Sequence, residues 1–216
     1  MSMKNKHILE HISWSKFDSR EEIFTTIYEN NLWFSEESVS GRGSELAVTK
    51  DLLINLKNLL VEYNIKTIVD APCGDYNWFK ELDYEFVKYY GIDVVKNIIE
   101  TNRAKYGAIN IEFVQGDILS CSIPKVDLIL CRDCFIHLNF EEIITCIKNF
   151  KRSGSKYLLT TNYEKLEQNN DVITGQFRKI DLTKTPINLP SCTTKIIDNS
   201  NENKFLYLWN MEEITL

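Results

Sequence analysis

Three carboxylates, one glycine turn and one imidazole stand out by residue type and position. Asp70 ends the β-branched run Thr67-Ile68-Val69 and leads into the small-residue turn Ala71-Pro72-Cys73-Gly74. Asp93 closes a second apolar run, and Gly116-Asp117 follows a third. Acids placed after successive strands gather at one edge of a sheet, and an acid about twenty residues past the first turn meets ribose hydroxyls. A glycine in that turn lets backbone approach a ligand with no Cβ in the way. A fourth apolar run enters Cys131-Arg132-Asp133-Cys134-Phe135-Ile136-His137, bringing an imidazole to the same edge. A free imidazole titrates near pH 6.5, which suits proton abstraction at neutral pH. A histidine at this place can equally serve only to pack or cap, so His137 is either base or filler. Asp133 either orients His137 or caps the helix that follows. Asp93 and Asp117, each taken alone, also read as helix caps.

These residues need elements to hold them. Apolar runs over Lys66–Ala71, Val87–Ile92, Asn110–Val114, Val126–Cys131 and Lys156–Thr161 predict five strands. Helical patterns lie between them at Asn77–Leu82, Lys96–Tyr106 and Glu141–Phe150. Strands alternating with helices predict a parallel sheet covered on both faces. Thr194–Ile197 and Phe205–Trp209 flank a polar turn and predict a closing antiparallel hairpin, after an irregular excursion from Gln168 to Pro190. Upstream, Ile23, Ile27 and Leu32 follow helical spacing after a cap at Asp18 or Ser19, and a longer helix runs from Glu45 to Tyr63. Between them Ser38-Val39-Ser40-Gly41-Arg42-Gly43-Ser44 is a glycine-punctuated loop at a helix start. It is a nest for an anion or a plain linker. The expected fold is a Rossmann-like α/β domain over residues 46–216, with residues 1–45 as a helical segment and lid.

Composition narrows the class. At 44% hydrophobic and 26% charged, 216 residues make one soluble globular unit. No apolar run is long enough for a membrane helix, and the polar start has no secretory core, so a cytoplasmic protein is expected. A net charge of −6 argues against a nucleic-acid partner and for a small acceptor. Cys131 and Cys134 form a CxxC pair, but no second ligand pair accompanies it, so packing thiols are expected rather than zinc or redox chemistry.

With three acids in register after strands, the stretch from about residue 64 to 161 resembles the class I S-adenosylmethionine-dependent methyltransferases. The resemblance implies that Asp70, Ala71, Gly74 and Trp78 face the methionine part of the cofactor. It implies that Asp93 and Val94 meet the ribose, and Asp117 and Ile118 the adenine. Arg132 would border the same site, with Ser40, Gly41 and Ser44 closing over it. The sequence departs from the common three-glycine turn, reading Pro72, Gly74, Tyr76, and is similar to a subgroup with an Asp-Ala-Pro-Cys-Gly-Asp turn. The missing GxGxxG argues against a nicotinamide dehydrogenase. His137 and Asp133 are the catalytic candidates, and Asn162, Tyr163 and Arg178 border the acceptor by topology. Asp133 and Asn162 would suit a divalent ion, but no ligand cluster demands one, and none is expected. The relatives it resembles act in surface-polysaccharide or sugar modification, so O-methylation of a sugar-like hydroxyl is expected. N-methylation, a protein or RNA acceptor, and a non-catalytic cofactor-binding module are the alternatives. Monomer and homodimer remain equally open.

Overall fold

The computed structural model describes residues 12–216, so His7, His11 and the rest of the polar start lie outside the described residues. After a short 3-10 turn at Trp14–Lys16, helix α1 spans Arg20–Glu29 and is capped by the Ser19 hydroxyl, which accepts from the Glu22 amide. Helix α2 covers Leu46–Glu62. Strand β1 is Thr67–Asp70 and β2 is Lys88–Asp93, followed by α3 at Lys96–Tyr106. Strands β3, Ile111–Gln115, and β4, Leu128–Cys131, precede α4 at Phe140–Arg152. Strand β5 is Tyr157–Tyr163, and β6, Thr194–Asn199, pairs with β7, Lys204–Asn210.

The seven strands run in the order β3-β2-β1-β4-β5-β7-β6. Strands β1 to β5 are parallel, and β7 joins them antiparallel, with β6 outermost. From β1 the chain winds outward through β2 and β3, then returns to place β4 on the other side of β1. That reversal opens a crevice at the carboxyl ends of β1 and β4. Side chains alternate across the sheet, as a period of two requires. Ile68, Leu128, Leu130 and Leu159 join the core under α2 and α3, while Val69, Ile129 and Leu158 join the core under α4. Helix α4 presents Ile143, Cys146, Ile147 and Phe150 to that second core, all fully buried. The three large apolar side chains contribute about 1.5–3 kcal/mol each. Asn139 and Glu142 form a reciprocal cap at its start.

The expected helix at Asn77–Leu82 is absent. Only a 3-10 turn, Phe79–Glu81, lies between β1 and β2. The space is filled by aromatic rings instead. Tyr76, Phe79, Tyr89 and Phe113 pack with centroids 5.1–5.8 Å apart, and Phe86 leans on Phe79. Rings of this volume cover the sheet face that a helix would otherwise cover. Cys131 and Cys134 lie in the core beside each other; burial pushes the Cys131 thiol up, and the hydrogen bond with Cys131, then burial, pushes up Cys134.

Candidate active site

The strand ends deliver the acids together. Asp70 is the last residue of β1, Asp93 the last of β2, Asp117 lies two residues past β3, and Arg132-Asp133 follows β4. They line a cavity of about 450 Å³ with Ser40, Gly41, Ser44, Gly74, Trp78, Val94, Ile118, His137 and Tyr163. The sequence places all of these at the site, and the structure brings them to one crevice.

Asp70 and Asp93 are 3% and 6% exposed, and among the described residues neither has an ion-pair partner. Tyr89 donates its hydroxyl to Asp70 Oδ2 at 2.9 Å. Burial nevertheless pushes the Asp70 carboxyl up to about 7. Asp93 accepts from the Val95 amide at 2.9 Å and the Gly74 amide at 3.1 Å, and burial still raises it to about 6. A buried carboxylate without a cation is costly, so this pair is poised for a ligand carrying an ammonium group and hydroxyls. S-adenosylmethionine has both, and these two acceptor carboxylates fit it.

The loop before α2 is already seated on the glycine turn. Ser40 Oγ accepts from the Asp75 amide at 3.0 Å and donates to Asp75 Oδ1 at 3.2 Å, while Ser38 Oγ donates to the same oxygen at 3.0 Å. Gly74 has φ +52°, and a Cβ there would sit 2.1 Å from Ser40 Oγ. Glycine is required at 74 by backbone conformation and by the loop above it.

Several expectations change. Ala71 does not line the cavity. It is fully buried, and its amide donates to Leu130 O at 2.8 Å, which continues the β1–β4 ladder. Arg132 lines the cavity, but its guanidinium is held in a fork by Asp198 at 3.0 Å on both prongs. The same group donates to Gly43 O at 2.8 Å and lies over the Trp78 ring, so it ties the loop to the crevice wall. Asp133 neither orients His137 nor caps α4, whose cap is Asn139. Its carboxylate takes Lys204 Nζ at 2.6 Å and Thr161 Oγ1 at 3.1 Å. The cations Lys204 and Arg132 hold it far below the carboxylate range, against the opposing pull of burial. Asn162 and Arg178 do not line the cavity. Asn162 is fully buried, donating to Asp181 and accepting from the Leu182 amide at 2.6 Å, so it and Asp133 serve different networks. Arg178 is buried behind the crevice and donates to Phe135 O and, at 2.7 Å, to Leu138 O.

His137 ends the 3-10 turn Phe135–His137, half-buried and stacked on Trp33 with centroids 5.2 Å apart. Its Nδ1 lies 3.0 Å from Gln176 O. A carbonyl only accepts, so Nδ1 carries the proton and Nε2 keeps its lone pair. Burial lowers the imidazole below its ordinary 6.5, so it is neutral at pH 7.

Residues beyond the sequence expectation complete the walls. Arg20 reaches from α1 to Asp117, at 2.8 Å from Nε and 2.7 Å from Nη2, and to Glu142 at 2.9 Å. Lys204 bridges Asp133 and Asp198, the latter at 2.9 Å. Trp33 and Phe177 flank the imidazole. Arg20, Asp198 and Lys204 carry no local signature, because apart from the Lys204–Asp198 pair their partners are 66 to 122 positions away in sequence. The tryptophan ahead of the glycine loop is the one available signal.

Residues 68–155 match the protein family described as a methyltransferase domain. No curated protein matches the sequence. Among solved structures, DhpI in complex with SAH aligns over 87% of this chain and 94% of its own, at 15% identity and a TM-score of 0.60. The PH0226 protein from Pyrococcus horikoshii OT3 aligns over 74% of this chain and 90% of its own, at 20% identity and a TM-score of 0.54. Magnesium protoporphyrin IX methyltransferase (ChlM) from Synechocystis PCC 6803 aligns at 16% identity and a TM-score of 0.45, over 56% of this chain and 58% of that one. No helix among the described residues is long and apolar enough to cross a membrane. Residues 68–155 thus form a methyltransferase domain, set in a seven-stranded sheet with acids at its switch point, and its cofactor is S-adenosylmethionine.

Proposed function

We propose that the chain methylates a hydroxyl of a small molecule, with His137 as the general base. The observation that carries this is the His137 Nδ1 contact to Gln176 O, which leaves a neutral imidazole with a free Nε2 lone pair in the crevice wall. When bound, the cofactor supplies a methyl group on a sulfonium, already activated for displacement. The chain has to hold the partners in line, keep water out and take the acceptor's proton. Asp70 receives the ammonium group and Asp93 the ribose hydroxyls. Val94 lies with Asp93 at the ribose, Asp117 and Ile118 frame the adenine, and Ser40, Gly41 and Ser44 close over the carboxylate as a lid, with Trp78 and Arg132 behind. Asp133 is too strongly held by Lys204 and Arg132 to take a proton, so it serves as an anchor. Tyr163 lines the acceptor side, with Trp33 and Phe177 offering aromatic faces. Such faces suit the apolar side of a ring, which agrees with a sugar or sugar-derived acceptor of surface polysaccharide, a class that otherwise rests on resemblance. The test is a mass-spectrometric screen of sugar nucleotides and free glycosides for a gain of one methyl group, run with the native chain and His137→Asn. The variant should lose roughly 10²–10⁴ in kcat while binding cofactor normally. Near-native turnover in the variant would remove His137 from the chemistry.

A further inference from the structure

The excursion between β5 and β6 does more than fill the acceptor side. Residues 175–178 run along the turn that carries His137 and bond it repeatedly. The Gly175 amide donates to His137 O at 2.9 Å, and the Arg178 amide donates to Ile136 O at 3.0 Å. Gln176 O receives His137 Nδ1. Arg178 then reaches under the turn, with Nη1 donating to Phe135 O and Nη2 to Leu138 O. The turn itself leaves Ile136 O, His137 O and Leu138 O without a donor, while Phe135 O takes the Leu138 amide at 3.4 Å and gains the guanidinium as a second donor.

Arg178 is an unusual filler for that space. It is 7% exposed, lies over the Phe140 ring, and among the described residues has no carboxylate within ion-pair distance. Among the described residues its Nε has no hydrogen-bond partner. Burial without a counter-ion lowers its guanidinium to about 10. A well-packed apolar side chain would fill the same volume at less cost. What only a guanidinium supplies is a rigid two-pronged donor to two carbonyls and a fixed positive charge beside the imidazole.

We propose that Arg178 is a positioning residue for His137: it locks the turn Phe135–His137 against residues 175–178, so that the imidazole keeps its proton on Nδ1 and its lone pair on Nε2. The charged groups facing His137 come from three elements. Asp133, after β4, favours the protonated ring, while Arg178 from the excursion and Lys204 from β7 oppose it together with burial. Arg178 therefore acts twice, through the tautomer and through the charge. The proposal rests on His137 being the base.

Its test needs no acceptor. The chain has three histidines, so ¹⁵N-histidine NMR of the full chain resolves each ring, and His137→Asn assigns the one that matters. The native ring should show the Nδ1–H tautomer and a midpoint below 6.5. Arg178→Met should raise the midpoint and bring in the Nε2–H tautomer. Arg178→Lys keeps a charge but loses the fork, so it should hold the low midpoint while the Nε2–H form appears. Tyr84→Phe removes a remote hydroxyl bond to Ile65 O and should change neither reading. A native His137 spectrum in either folded Arg178 variant overturns the proposal, and so does the same change in Tyr84→Phe. If Arg178→Met fails to fold, the tautomer in Arg178→Lys decides alone. Failure of the base assignment looks different: His137→Asn would keep its turnover, whatever the Arg178 spectra show.

Discussion

Replacing Gly74 by alanine separates what the backbone needs from what the loop needs. Residue 74 has φ +52°, and an L-residue in that left-handed region costs about 1–2 kcal/mol. That strain is present with and without cofactor, so it belongs in the melting temperature. For a domain of this size the drop is roughly 2–8 °C. The new Cβ would also fall 2.1 Å from Ser40 Oγ and 3.0 Å from Ser40 Cβ. Ser40 must leave, breaking its two hydroxyl bonds to Asp75. At about 1 kcal/mol each, the seated loop loses roughly 2 kcal/mol. If binding needs the seated loop, apparent cofactor affinity falls by that fraction, about 30-fold. Calorimetric titration of S-adenosylmethionine into native chain, Gly74→Ala, Ser40→Gly and the double variant reads the coupling. The double variant should bind no worse than Ser40→Gly, because the clash has gone. Unchanged affinity in Gly74→Ala, or strict additivity in the double variant, would refute the role of the loop.

Titration supplies further tests. Asp70 sits at about 7 in the free chain and must be ionised opposite an ammonium group, so cofactor affinity should rise with pH through about 7. Binding at pH 6.5 should release a proton, visible as a buffer-dependent enthalpy; a buffer-independent enthalpy would place the ammonium elsewhere. The folded chain also holds that proton at pH values where the unfolded chain, at 3.8, has released it. Stability from Asp70 is therefore full below about 4 and lost as pH rises through about 7. Between pH 7 and 8, where the unfolded His137 ring has also mostly lost its proton, the melting temperature of the cofactor-free chain should fall, and cofactor should restore more of it there. Because burial lowers His137, the methyl-transfer rate should reach half its plateau below pH 6.5, and a midpoint above that value would point to another base.

The parts of this molecule visible in its sequence are those set by local pattern. Strands β1 to β5 follow from short apolar runs, and the acids at their ends follow from where those runs stop. The β6–β7 hairpin follows from two such runs around a polar turn. The missed helix between β1 and β2 shows the limit of pattern, since Trp78, Phe79 and Leu82 suit a helix by spacing but fill the face as bulky side chains from irregular backbone. Asn162 and Arg178 show another limit. Topology predicts an acceptor role for them, but their polar atoms are taken up by Asp181, Leu182, Phe135 and Leu138. The network of Arg132, Asp133, Asp198 and Lys204 depends on a hairpin turn meeting the end of β4, which no spacing along the chain encodes.

The most direct test is calorimetric titration of the native chain and Asp93→Ala with S-adenosylmethionine and, separately, with NAD. S-adenosylmethionine should bind the native chain at one site, and NAD should give no heat. In Asp93→Ala the loss of charge-assisted hydrogen bonds to the ribose should weaken S-adenosylmethionine by roughly 2–4 kcal/mol in a folded variant. Saturable NAD binding with no S-adenosylmethionine signal, or native affinity in Asp93→Ala, would contradict the assignment of this crevice.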